Sequence, residues 1–219
     1  SLGFSTPLIG SLVSRLTGIE TGFGMEVAVV GVCVVIFATS VYLGLEKGIK
    51  RLSDLNLLLA LALLVFILFA GPTLFLVKSA LNSVGTVVQN FVAMSTWTDP
   101  FTDSGFVEDW TVFYWAWWIA YGPFVGLFVT RISRGRTIRE VVLGMLIYGS
   151  LGCELFYLIL GNYSLNLQLS GELDVVKILT EQGGNQAIVA GFDQLPLAAL
   201  VIGLFCFVSV IFSATTYDS

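Results

Sequence analysis

The residues best suited to chemistry in this chain are aromatic and lie close together. Four of the five tryptophans fall between positions 110 and 118. Tryptophan or tyrosine recurs there at spacings of four, three and four residues, at Trp110, Tyr114, Trp117 and Tyr121. A helix places residues with this spacing on one face. The ring faces attract cations that offer no hydrogen-bond donor, such as trimethylammonium or dimethylsulfonium groups, by about 2 kcal/mol or more in a dry site.

An aromatic belt at the lipid headgroups and ordinary core packing are the alternatives for this stripe. A belt is a thin layer, whereas residues 110–121 rise about 16 Å along a helix. The length of the stripe favours a path for a cation over a belt, and core packing stays open. Gly122 and Pro123 follow directly. Helix breaks near the midplane are typical of transporter binding sites, although a simple packing kink needs the same residues.

The composition indicates an integral membrane protein. The chain has 219 residues, of which 56% are hydrophobic and 11% are charged, whereas soluble domains carry roughly a quarter charged residues. The net charge of -5 therefore says little about nucleic acid, and we expect no nucleic-acid partner. Histidine is absent and the three cysteines lie in apolar runs, which argues against a zinc site, a disulfide framework and an enzyme.

Five apolar segments are long enough to cross a bilayer core of about 30 Å as helices. The chain begins without methionine and stops without a helix-ending signal, so we expect one transmembrane domain over 1–219 that is truncated at both ends. The expected fold class is an all-α polytopic helix bundle. The predicted spans are 1–16 (partial), 24–45, 54–76, 109–130, 140–162 and 195–217.

Basic residues predict the orientation of these spans. Seven of the ten lie in two short connections on one side, at Lys47, Lys50, Arg51, Arg131, Arg134, Arg136 and Arg139. That side is cytoplasmic by the positive-inside rule, and the arginine spacing suggests a short cytoplasmic helix. The two outer connections are more acidic than basic. Short amphipathic helices are predicted there over Leu81–Met94 and Leu173–Ile188, lying at the interface or capping the outer entrance.

The stretch 109–140 resembles the signature of the betaine–choline–carnitine transporter family. It combines a Trp-Ala-Trp-Trp helix with the run Arg131-Ile132-Ser133-Arg134-Gly135-Arg136-Thr137-Ile138-Arg139-Glu140. The runs 44–56, 71–75 and 214–219 also resemble the family. This resemblance covers essentially the whole chain and implies a five-plus-five inverted repeat, of which the chain would hold spans five to ten. It also implies a multi-pass protein of the bacterial inner membrane and a homotrimer.

The resemblance implies a binding site for small cationic or zwitterionic solutes of the glycine betaine, choline or carnitine type. The trimethylammonium group is expected at Trp117 and Trp118, with Trp115 and Tyr121 close by and Trp110 on the outer access path. Tyr114 and Phe113 complete the predicted substrate-binding set. Tyr121 stands where many family members have tryptophan, so the choice of solute stays open.

Sodium is the candidate coupling ion, and no other cofactor is expected. Hydroxyl and carbonyl oxygens suit this hard cation, and the resemblance implies a partial sodium site at Phe212, Thr215 and Thr216. Serine and threonine also bond back to their own helix, which is the alternative explanation. Sodium-independent family members carry an arginine near the start of the span containing Asn56, and this chain has none between Arg51 and Arg131. We therefore predict sodium-coupled symport, with sodium-independent exchange as the alternative.

Overall fold

The computed structural model describes residues 2–43, 50–102 and 104–216, and this part of the chain is helical without any strand. The expected all-α fold class is confirmed within these ranges. Three π-helical turns are continuous with their flanking helices, at Val107–Val112, Met145–Gly149 and Tyr157–Gly161. The α-helices are α1 Leu2–Thr17, α2 Phe23–Leu43, α3 Lys50–Ala70, α4 Thr73–Ser95, α5 Phe113–Ile132, α6 Ile138–Gly144, α7 Ser150–Phe156, α8 Asn162–Ser170, α9 Val175–Gln182, α10 Gly184–Asp193 and α11 Ala198–Thr216.

Length and apolar composition explain why these segments are helices. An α-helix pairs its own backbone groups, which is the condition for crossing a bilayer. Three continuous helices of the described residues are long and apolar enough to cross one, Lys50–Ala70, Val107–Ile132 and Ile138–Ser170. Shorter apolar stretches lie at Phe23–Ile36 and Ala198–Ser213.

The helix expected over 54–76 has different ends in the structure. It begins at Lys50 and ends at Ala70, and α4 then runs without a break from Thr73 to Ser95, beyond the predicted Leu81–Met94. Pro72 causes the difference, because it lacks an N–H and disfavours a helical conformation in the residue before it. The Thr73 hydroxyl donates to the Leu68 carbonyl at 2.7 Å and closes the bend.

Glycine divides the second outer segment as well. One helix was expected over Leu173–Ile188, whereas the structure has α9 and α10. Gly183 separates them at φ +88°, a conformation that L-residues rarely adopt. The Asp174 carboxylate begins α9 by accepting from the Lys177 amide at 3.0 Å.

The arginine-rich connection is a tight turn, so the prediction of a short cytoplasmic helix there is wrong. Gly135 has φ +83° and stops any helix after α5. Thr137 then begins α6 with a capping box: its hydroxyl accepts from the Glu140 amide at 3.3 Å, while the Glu140 carboxylate accepts from the Thr137 amide at 2.8 Å. Such a cap satisfies two amides that the helix leaves unpaired.

The chain divides into two compact units, which we describe separately. The described residues within 1–77 and 155–218 form the first unit, and 78–154 form the second. In the first unit α11 packs against α1, α2, α3 and α10. Its core is apolar, with fully buried side chains that include Ile9, Leu12, Leu63, Ile67, Leu76, Leu167, Ile202 and Ile211. In the second unit the helix Val107–Ile132 buries none of its residues within the described chain.

Gly71 provides a test of the packing in the first unit. A Cβ there would lie 2.9 Å from the Ile67 carbonyl oxygen and 3.3 Å from the Tyr163 ring. We therefore expect Gly71→Ala to lower the free energy of unfolding by about 1–3 kcal/mol in the full-length parent, as overpacking does. Thermal unfolding in detergent, followed by loss of the monodisperse peak, measures the change.

Gly85 in α4 is the matched control, because a Cβ there meets nothing within 4 Å. Gly85→Ala should leave the midpoint unchanged or raise it, since alanine is the better helix former. Equal midpoints for both variants would contradict the packing described for Gly71.

Candidate functional site

The structure brings the predicted aromatic residues together as a ladder of rings. Trp110 stacks on Tyr114 with centroids 6.2 Å apart, and Trp117 stacks on Tyr121 at 6.1 Å. Phe113 joins the two pairs, at 5.5 Å from Tyr114 and 5.7 Å from Trp117. The ladder therefore follows one face of Val107–Ile132 without a gap from 110 to 121.

Phe106 extends this ladder outward by stacking on Trp110 at 6.4 Å. Phe106 was not predicted to belong to the stripe, although its spacing of four residues from Trp110 would have indicated it. The π-helical turn Val107–Val112 was also not anticipated. A π-turn holds more residues than an α-turn, so side chains four apart lie more nearly above one another. This geometry favours the near-parallel stacking of Trp110 on Tyr114, whose planes differ by 20°.

Trp115 and Trp118 point away from the ladder face. Successive residues of an α-helix are rotated by about 100°, so Trp118 lies beside the ladder and Trp115 farther round. Their exposed fractions are 70% for Trp115 and 63% for Trp118. The helix itself thus presents a broad aromatic surface, with stacked rings on one face and isolated indoles beside it.

The expected loosening at Gly122 and Pro123 does not interrupt the helix. The α5 helix continues through Pro123 to Ile132. Proline still removes one backbone N–H, so one carbonyl in the preceding turn lacks its usual partner. Deviation from α-helical geometry occurs instead at the outer end of the stripe, in the π-helical turn.

The predicted sodium residues lie at the end of α11. Phe212 is in the last two turns of this helix and is largely exposed. Thr215 and Thr216 belong to its last turn, and their side chains lie outside the described part of the structure.

Two buried oxygens, one in α11 and one in α3, were missed by sequence reasoning. Ser213 Oγ and Asn56 Oδ1 lack a hydrogen-bond partner, and their residues are 2% and 9% exposed. Ser213 lies three residues before the end of α11, Asn56 lies in the first third of α3, and α3 packs on α11. Buried polar atoms are normally paired, so these oxygens are suited to a water molecule or a cation. Burial is a property of the fold, and only the polar type of each residue was visible beforehand.

Comparison with known proteins adds independent information. Residues 1–219 match the family model described as BCCT, betaine/carnitine/choline family transporter. The chain belongs to the betaine/carnitine/choline transporter family. The resemblance drawn from the signature at 109–140 is thereby confirmed. The family is one of polytopic helical membrane proteins, in agreement with the helices described above.

Several relatives are aligned with the entire chain. It is 40% identical to a carnitine transporter of Acinetobacter baumannii, covering 100% of the chain and 40% of the relative. It is 37% identical to the glycine betaine transporter OpuD of Bacillus subtilis, covering 100% and 42%. The ectoine/glycine betaine/proline transporter EctP of Corynebacterium glutamicum is 34% identical, with 100% and 36% covered. The chain thus spans about two fifths of the length of the relatives it matches.

A loop held by Asp99 precedes the aromatic helix of this family member. The Asp99 carboxylate accepts from the Ser104 hydroxyl at 2.6 Å, from the Ser104 amide at 2.7 Å, and from the Thr102 hydroxyl. These hydrogen bonds lower the pKa of Asp99 to about 2, below the ordinary 3.8. The Ser104 hydroxyl has the largest effect, followed by the Thr102 hydroxyl and the Ser104 amide. The loop therefore depends on an ionised Asp99.

We expect protection of the Ser104 amide from hydrogen exchange to depend on pH in the full-length transporter. Because the pKa of Asp99 is lowered in the folded loop, the stabilisation is complete above about pH 4 and is lost as the pH falls towards 2. Asp99→Ala should remove the protection at neutral pH, as measured by exchange mass spectrometry corrected for the intrinsic rate. Glu108→Gln is the control and should leave it intact; similar loss in both variants would exclude the Asp99 loop as its source.

Proposed function

We propose that the parent of this chain is a secondary active transporter of small quaternary-ammonium or sulfonium solutes, of the glycine betaine, choline and carnitine type, and that it works as a sodium-coupled symporter. The observation that carries the proposal is the continuous ladder of rings from Trp110 to Tyr121 on one face of Val107–Ile132. The names of the relatives support the same solute class.

The aromatic residues have different roles at different positions along the helix. Trp117 and Trp118 hold the onium group, and Trp115 and Tyr121 complete its surroundings. Trp110, Phe113 and Tyr114 form the outer part of the path. A permanently charged onium group sheds its hydration water here in exchange for ring faces, which avoids burying a carboxylate in the membrane at high cost.

Acidic residues lie at the outer end of this path. Glu108 and Asp109 are in the first turn of the aromatic helix, where negative charge also complements the helix dipole. A cationic solute is attracted to this end before it meets Trp110. The arginines at the other end of the helix repel it, so the field along the path has the sign that favours uptake from outside.

The sodium ion is assigned to the end of α11, at Phe212, Thr215 and Thr216. The unpartnered oxygens of Ser213 and Asn56 support a polar, oxygen-rich position at this level of α11 and α3. Sodium prefers such oxygen ligands over nitrogen or sulfur. In symport, sodium binding stabilises the state that binds solute, which is a coupling between two sites.

Exchange of one onium solute for another without sodium is the second candidate function. The 40% identity to the carnitine transporter of Acinetobacter baumannii supports a carnitine-type solute for such an exchanger. We place the parent protein in the bacterial inner membrane, as a homotrimer.

Sodium coupling is tested by uptake of labelled glycine betaine into proteoliposomes of the full-length parent. We expect uptake to fall at least tenfold without an inward sodium gradient, and the concentration of sodium giving half-maximal uptake to rise in Thr216→Ala. Thr39→Ala is the control, because the Thr39 hydroxyl already donates to the Val35 carbonyl at 2.7 Å. Uptake that is independent of sodium but requires internal carnitine or betaine would establish the exchange mechanism instead.

The aromatic site is tested by Trp117→Leu and Trp117→Phe. Loss of a cation–ring contact of about 2 kcal/mol predicts a rise of roughly thirtyfold in the KM for glycine betaine with leucine, and a smaller rise with phenylalanine. Trp97→Leu is the control, since Trp97 precedes the loop outside the ladder. Equal effects of Trp117→Leu and Trp97→Leu would refute a role of the ladder in binding the onium group.

A further inference from the structure

An ion pair joins the end of α1 to the end of α10 in the first unit. Arg15, near the end of α1, donates from Nε to both carboxylate oxygens of Asp193, at 2.8 and 3.1 Å. Asp193 is the last residue of α10. The pair therefore joins α1 to α10 through two residues that are 178 positions apart in the sequence. Both side chains are accessible, with exposed fractions of 56% for Arg15 and 25% for Asp193.

A small cavity lies beside this pair. Its volume is about 120 Å³, and its lining consists of Arg15, Leu16, Asp193, Ala199 and Ile202. The cavity therefore combines one cation, one anion and three apolar side chains. A cavity of about 150 Å³ accommodates benzene, so this smaller space can hold at most the carboxylate end of a small solute.

The guanidinium of Arg15 has unused donors. A guanidinium carries five N–H groups in a planar fork, and the two hydrogen bonds of Arg15 both start from Nε. The N–H groups on Nη1 and Nη2 remain available for an anion. Carboxylates bind this fork in a two-point geometry, whereas a simple cation gains nothing from it.

We propose that Arg15 forms an outer subsite for the carboxylate of zwitterionic solutes such as glycine betaine and carnitine. This inference rests on the proposed function and adds what the aromatic ladder lacks, a means to distinguish a zwitterion from a cation without a carboxylate. Asp193 orients the guanidinium through Nε, and Leu16 and Ala199, which are exposed and line the cavity, face the methylene part of the solute. Asp193 is thus a positioning residue, and Arg15 provides the contact.

Position in the fold is consistent with capture from outside. The positive-inside pattern places the end of α1 on the outer side. Gly203 in the second turn of α11 lies next to the same end of α1, since a Cβ there would be 4.0 Å from Leu16 Cδ1. The subsite is built by α1, α10 and the start of α11, all within the first unit.

Arg15→Gln in the full-length parent tests the subsite, with two probes that share the trimethylammonium group. Glycine betaine carries a carboxylate and choline does not. We expect the KM for glycine betaine uptake to rise about fivefold, as for loss of a partly exposed charged hydrogen bond. The inhibition constant of choline against that uptake should change less than twofold. Lys177→Gln removes another outer positive charge and should leave both constants unchanged.

Asp193→Asn distinguishes solute binding by Arg15 from a purely structural role of the Arg15–Asp193 ion pair. It removes the ion pair but keeps the guanidinium, so the subsite predicts a rise in the KM for glycine betaine that is smaller than the rise in Arg15→Gln, with the inhibition constant of choline unchanged. If Asp193→Asn and Arg15→Gln raise both constants alike, the pair is only a structural brace and the inference is overturned. No change in Arg15→Gln overturns it too. Failure of choline to inhibit uptake by the parent at all would instead contradict the aromatic onium site of the proposed function. The thermal unfolding midpoint of each variant is measured to exclude misfolding.

Discussion

Backbone hydrogen bonding in an apolar medium is the constraint on which the rest of this structure depends. Where an apolar segment of this chain crosses the core of a bilayer, no water can satisfy its amides and carbonyls, so the segment satisfies them within its own helix. Breaks in the described helices occur where a residue makes helix impossible or provides a substitute. Pro72, Gly135 and Gly183 are the first kind. Asp174 and Thr137, which cap the next helix, are the second.

This constraint leaves recognition to side chains that need little from the backbone. Aromatic faces are apolar enough to lie along a membrane helix and still attract a cation. The ladder from Phe106 to Tyr121 uses that property, and it accepts a π-helical turn at Val107–Val112 because such a turn keeps backbone groups paired. The hydrogen-bonded carboxylate of Asp99 and the ion pair of Arg15 with Asp193 lie at helix ends or in a loop instead, where water is available.

The sequence predicts those features of the fold and the site that depend on residues close together along the chain. Helical spacing of Trp110, Tyr114, Trp117 and Tyr121 is local, so their shared face was predictable, and the signature at 109–140 revealed the family. Helix ends at Gly and Pro were visible as residues, yet their effect was underestimated: Pro72 ends α3, and Gly135 makes a turn of the arginine segment. Pairing of Arg15 with Asp193 and burial of Ser213 depend on contacts between distant segments, which no spacing along the chain encodes.

The unpartnered oxygens show why ion binding and packing are linked in the proposed symport. An unpaired buried polar group costs about 1–3 kcal/mol, so Ser213 Oγ in α11 and Asn56 Oδ1 in α3 each make the packing of their helix less stable when nothing binds them. An ion or an ion-bound water that satisfies such an oxygen recovers this free energy and stabilises the packing around it. A few kcal/mol is the scale on which ligands shift conformational populations. Sodium at the end of α11 would therefore act on the whole helix, and not merely fill a space.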